Sequence, residues 1–153
     1  MKKREEGFTL LELVIGIGIL LIAILGILSV YNHSTLLGLY SQDYALALQS
    51  AQAKMEEIRH HGTISQIMTD YAQGGALGNT FDPEGLTGKG NITFDNSTSA
   101  IGVRVSVCWS EKGRIFGEDT NLDGQFDAAT EDSNPNGQLD SPVELVTYIT
   151  DSS

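Results

Sequence analysis

Residues 13–30 read LVIGIGILLIAILGILSV, eighteen consecutive positions without a charge. A helix of about that length crosses the hydrocarbon core of a bilayer. Lys2, Lys3 and Arg4 precede it, and positively charged flanks stay on the cytoplasmic side, so the expected topology is single-pass, N-in. A secretory signal would carry a shorter apolar region and a small-residue cleavage site behind it. Here YNHSTLLGLY (31–40) simply continues, and the helix is expected to be retained.

Two features at the front of this segment carry chemistry. Glu12 places a carboxylate at the edge of an apolar run, where an unpaired charge costs several kcal/mol, about 3 on insertion scales, unless a cation meets it. Just before it the junction EEG-FTLLE joins a charged leader ending in Gly7 to Phe8, Thr9, Leu10, Leu11 and Glu12. This junction resembles the type IV prepilin family, whose short charged leaders end in Gly and whose mature chains begin Phe-Thr-Leu-[Leu/Ile]-Glu. The resemblance implies cleavage between Gly7 and Phe8 by a prepilin peptidase/N-methyltransferase and methylation of the new amine on Phe8. It also implies that Glu12, mature residue five, pairs during assembly with the N-terminal ammonium of another pilin or pseudopilin subunit. The implied location is the bacterial inner membrane before assembly and a periplasmic or extracellular filament afterwards. The proline that many major pilins carry mid-helix is absent, Ser29 standing at that position.

Beyond the apolar run the helical period persists. Leu37, Tyr40, Tyr44, Leu48, Ala51, Met55 and Ile58 recur every three or four residues, with Gln42, Gln49, Gln52, Lys54 and Glu57 opposite. No proline interrupts residues 8–59, and Gly62 behind His60-His61 reads as a stop, so one helix of about fifty residues is expected. Residues 74–90, with six glycines and Pro83, read as a loop. Strands are expected at 92–94, at 101–109 (Ile101, Val103, Val105, Val107 and Trp109 on the face toward the helix) and at 143–150, with a turn around Gly113 into Ile115-Phe116. The fold class is α+β: a long N-terminal helix packed on a small antiparallel sheet. Its segments are a leader (1–7), a membrane half (8–30), an amphipathic half (31–61) and a head (62–153) with an acidic insertion (117–141). The blocks at 51–59 (AQAKMEEIR), 103–109 (V-x-V-x-V-x-W) and 144–150 (ELVTYIT) resemble V-type minor pilins and the I-type pseudopilins of type II secretion. Such subunits are thought to sit at the filament tip and prime assembly.

The insertion contains a repeat of period thirteen. Glu118-Asp119-Thr-Asn121-Leu-Asp123-Gly124-Gln125-Phe-Asp127 aligns with Glu131-Asp132-Ser-Asn134-Pro-Asn136-Gly137-Gln-Leu-Asp140, and no basic residue falls between Glu118 and Asp140. Oxygen side chains at positions one, three, five and nine around a glycine at six resemble the calcium loops of EF-hand, dockerin and thrombospondin-type repeats, in which alternate residues turn their oxygens onto a hard cation. The expected ligands are Asp119, Asn121, Asp123, the carbonyl of Gln125, and Asp127, with Glu131 or Asp132 completing the shell. Asp132, Asn134, Asn136 and Asp140 form a weaker second set. Thr130 and Val143 stand where an EF-hand would place its bidentate glutamate. Structural Ca2+ is the expected cofactor. Asn91-Ile-Thr93 and Asn96-Ser-Thr98 match the glycosylation sequon.

The 153 residues carry a formal charge of −11, and loss of Lys2, Lys3, Arg4, Glu5 and Glu6 with the leader leaves six basic against eighteen acidic residues, or −12. Such a chain offers no phosphate-binding surface, and no nucleic-acid partner is expected. The lone Cys108 forms no intrachain disulfide. No nucleophile-base set and no phosphate-cradling glycine motif is present, so no enzyme is expected. Open alternatives are a major shaft subunit and a filament-displayed adhesion module.

Overall fold

The structure is a computed structural model and describes residues 9–96 and 100–150, excepting the side chains of residues 33, 35–37 and 96. The leader, Gly7, Phe8 and the Ser97-Thr98 half of the second sequon lie outside the described residues. The elements are α1 (Leu10–His60), α2 (Ile64–Asp70), β1 (Thr80–Phe81), β2 (Gly88–Asn96), β3 (Ile101–Glu111), β4 (Arg114–Phe116) and β5 (Val143–Ile149). Two compact units result, Met1–Ser41 and Gln42–Ser153, the division falling inside α1.

The first unit holds the apolar part of α1. Leu10–Asn32 has a mean hydropathy of 3.0, and none of it is buried within the chain. At about 1.5 Å per residue its 23 residues extend about 35 Å, enough to cross a bilayer core. Leu20, Ile22 and Ile27 are all more than half exposed. An apolar surface of this kind is stable only where lipid or other helices cover it.

In the second unit the sheet is antiparallel throughout, ordered β1-β2-β3, with β4 and β5 sharing the far edge of β3. β3 is the centre because its alternating Val103, Val105, Val107 and Trp109 are all fully buried. They pack with Ala47, Ala51, Met55 and Ile58 of α1 and with Ile67, Tyr71, Ile92 and Val143 in one cluster. The face of β3 expected to meet the helix does so. The helical stripe is shorter than its period suggests, for burial begins at Ala47 while Tyr40 and Tyr44 are exposed.

Three departures have local causes. α2 follows α1 because Thr63 and Gln66 form a reciprocal capping box, Gln66 Oε1 accepting from Thr63 N at 3.0 Å and Thr63 Oγ1 from Gln66 N at 3.4 Å. β2 starts at Gly88, inside the stretch read as a loop. Its glycines are there for close approach: a Cβ on Gly88 would stand 2.2 Å from Cys108 O, and one on Gly90 2.2 Å from the Phe81 ring. β1 supplies that ring. Finally, the second face of β3 is also covered, Ser106 and Cys108 being buried.

Candidate functional site

The N-terminal site begins at Thr9. Glu12 N donates to Thr9 Oγ1 (3.3 Å) and Thr9 O (3.1 Å), and Leu13 N donates to Thr9 O (3.2 Å), so Thr9 caps α1. The Thr9-x-x-Glu12 spacing is the sequence signal of such a cap. It places Glu12 in the first helical turn, where the helix dipole favours a carboxylate, with its side chain exposed. Thr9 is the residue that sequence reasoning quoted without giving it a task.

The acidic insertion is the second site. In its first repeat Asp119 accepts from the backbone N–H of Asp123 (3.2 Å) and Gly124 (2.8 Å), Asn121 from Asp123 N–H (2.9 Å) and Asp123 from Gln125 N–H (2.7 Å). The second repeat copies this pattern: Asp132 accepts from Asn136 N–H (2.8 Å) and Gly137 N–H (3.3 Å), and Asn136 from Gln138 N–H (2.9 Å). Gly124 and Gly137 sit at the sixth position of each repeat with φ of 77° and 73°, a conformation that glycine adopts without strain. The thirteen-residue repeat is thus a repeat of backbone geometry. Asn134 and Asn136 side-chain amides both donate to Asp140. Asp127 N and the backbone and hydroxyl of Thr120 donate to Glu131, tying the ends of the first loop. Glu118 bridges the repeats, accepting from Ser133 N (3.1 Å) and Asp140 N (3.3 Å).

Asp119 and Glu131 are buried carboxylates with no ion pair within 4.0 Å among the described residues. Burial, together with the charges of Glu131 and Asp123, pushes the Asp119 carboxyl above its usual range. The loop is anchored over the sheet by Asn91, whose buried side chain donates to Gly124 O at 2.6 Å. Gln125 is held by Gln73 (3.1 Å) and Asn79 (3.2 Å). The first sequon asparagine is therefore a buried anchor for the loop and not an exposed acceptor. At the neck, Glu118 N donates to Asp140 O (2.8 Å) and the backbone of Gly117 passes over Cys108, where a Cβ would stand 2.3 Å from the sulfur. Burial pushes the Cys108 thiol up to about 11, and it stays an unionised packing group.

Not every predicted ligand converges. Among the described residues no three Asp, Glu, His or Cys side chains draw together as a metal-holding group. Asp119, Asp123 and Asp127 of the first repeat and Asp132 of the second accept from backbone N–H groups, while Asp140 accepts from the side-chain amides of Asn134 and Asn136. The donor chemistry still fits a hard cation, being all oxygen and free of bases from Glu118 to Asp140.

Residues 2–28 match the model described as the prokaryotic N-terminal methylation motif. No curated protein and no solved structure matches the chain. The motif belongs to structural filament precursors and not to enzymes. The chain carries the type IV pilin-like prepilin signal on an apolar helix, followed by an α+β head of the kind that signal leads one to expect.

Proposed function

We propose that the chain is a minor pilin or pseudopilin, processed after Gly7 and built through Glu12 into a type IV pilus or type II secretion filament. The observation that carries the reading is the methylation motif at residues 2–28, joined to a helix whose apolar side chains find no cover within the chain. Processing frees an ammonium on Phe8, and the capped first turn holds Glu12 where a neighbouring subunit's ammonium can neutralise it. Ser29 in place of the mid-helix proline, and the blocks at 51–59 and 103–109, favour a minor over a shaft subunit. The test is abundance: purified filaments should contain this chain in small proportion, and a filament built mainly of it would make it the shaft subunit.

The reading includes a structural Ca2+ in the head. Asp119, Asn121, Asp123, Gln125, Asp127 and Glu131 or Asp132 would hold it, and Asp132, Asn134, Asn136 and Asp140 a weaker second ion. The tandem repeat and two buried carboxylates without a base support this. Bound calcium would supply the positive charge the loop lacks. At a concentration of 100 times its dissociation constant it should stabilise the head by about 2.7 kcal/mol. Melting of the full chain in detergent should rise in millimolar calcium relative to chelator, and coincident curves would remove calcium from the account.

A further inference from the structure

We infer that the outer edge of β5 takes an added strand. Its occupant is an extended segment, apolar at alternate positions and uncharged where it lies on β5, from a different and less acidic subunit of the same assembly. The inference rests on the filament-subunit reading and names a partner contact of that subunit.

Hydrogen-bond parity fixes which groups face outward. Ile92 N of β2 donates to Asn79 O on the β1 side (2.8 Å), and Ser110 N of β3 donates to Thr87 O on the β2 side (2.8 Å). Alternation therefore turns even-numbered β3 residues toward β2 and odd-numbered ones toward β5, so that Val103, Val105 and Val107 exchange bonds with Thr147, Leu145 and Val143. On β5 the N–H and C=O groups of Glu144, Val146 and Tyr148 are left pointing away from the sheet. Among the described residues no backbone group outside the ladder bonds them. The other edge strands are short, β1 having two residues and β4 three, whereas β5 runs seven in unbroken register with β3. It carries no proline, lysine or bulge, the devices that blunt an edge.

The side chains along this edge say what fits it. Val146 and Tyr148 are 55% and 68% exposed, more than any other large apolar side chain described in the head. A depression flanks the edge on each face: Met55, Arg59, Leu145 and Thr147 line the one toward the helix, and Gly102, Arg104, Val146 and Tyr148 the other. A strand laid on the edge sends alternate side chains to the two faces, which seats them in these depressions while its backbone meets the outward N–H and C=O groups. The charges at the rims already have partners, Arg59 with Glu56 at 3.8 Å and Arg104 with Glu144 at 3.1 Å, and residues 145–150 carry none. The strip thus matches an uncharged, apolar segment. A second copy is the poorer occupant, because two processed chains of charge −12 repel one another and a scarce subunit has few neighbours of its own kind.

The test places a photo-crosslinking side chain at Val146 or at Tyr148 of the full chain in its own cells, with two copies of the chain carrying different tags. Both positions should give a single-tag adduct with another filament subunit, attached about two residues apart on one segment of it, as strand pairing requires. Val146→Pro deletes an outward N–H and no ladder bond, and should cut the yield from position 148 about tenfold, whereas Val146→Thr should leave it unchanged. Val146→Lys keeps every N–H and should lower the yield as well, so it carries the test if melting by circular dichroism shows that the proline unfolds the head. Attachment points scattered over the partner, or a yield indifferent to the lysine, overturn the inference. So does a two-tag adduct, or an adduct only with lipid or with a protein outside the filament. Size on a gel reports processing in the same samples. A chain that is shortened and assembled but gives no adduct sinks this contact alone; a chain never shortened sinks the filament reading with it.

Discussion

The two ends of α1 both carry apolar residues and meet opposite fates. Between Leu10 and Asn32 the helix is more apolar than any other part of the chain, and none of it is buried. Between Ala47 and Ile58 only one stripe is apolar, and Ala47, Ala51, Met55 and Ile58 are all buried against the sheet. Hydrophobicity alone does not make a core. The second stretch has its partner in the same chain; the first has its partner in lipid or in neighbouring subunits, and so its residues encode processing and assembly while the second encodes folding.

The comparison can be broken by exchanging the consequences of substitution. Glu12→Ala should abolish incorporation into filaments almost completely while leaving the melting of the head unchanged. Loss of head stability in this variant would show that the two ends are not independent. Trp109→Ala should destabilise the head by about 3–5 kcal/mol, because a fully buried ring stacked at 5.3 Å on Phe116 leaves a cavity, whereas Leu20→Ala should leave head melting unaltered. Chemical denaturation of the detergent-solubilised chain, followed by circular dichroism because Trp109 is the sole tryptophan, reads both.

The smallest effect is a pH dependence confined to the head. Burial alone would raise the Glu57 carboxyl, but hydrogen bonds from Lys54 (2.6 Å) and Tyr71 (2.8 Å) outweigh it and hold it below its usual value. A depressed carboxyl contributes stability above its unfolded pKa and loses it as pH falls through the lower folded value. Glu57→Gln should therefore lower the melting temperature slightly at pH 6–7, and the difference should vanish at strongly acid pH. A difference that grows on acidification would reverse the assigned sign.

Much of this division was legible from residues alone. The apolar run, Glu12 and the Gly7-Phe8 junction are local signals, and so are the alternation that builds β3 and the thirteen-residue repeat, because each is read within one window. What escaped depended on contacts distant in sequence. Gly88 and Gly90 look like loop residues until β3 and Phe81 are set against them. Asn91 looks like a modification acceptor until Gly124, 33 residues on, takes its side-chain amide. The covered second face of β3 follows from where the insertion folds back, which composition does not encode. α2 is the exception, since its Thr63–Gln66 box was present in the sequence as a capping signal.

What matters most is that the working protein begins at Phe8. Intact mass and N-terminal sequencing of the chain recovered from filaments test it directly. The expected result is a chain lacking residues 1–7 and beginning with N-methylated phenylalanine, and a replacement of Gly7 by a bulky residue should leave the precursor at full length. A filament-borne chain that retains Met1–Gly7, or a Gly7 variant shortened as usual, would contradict it.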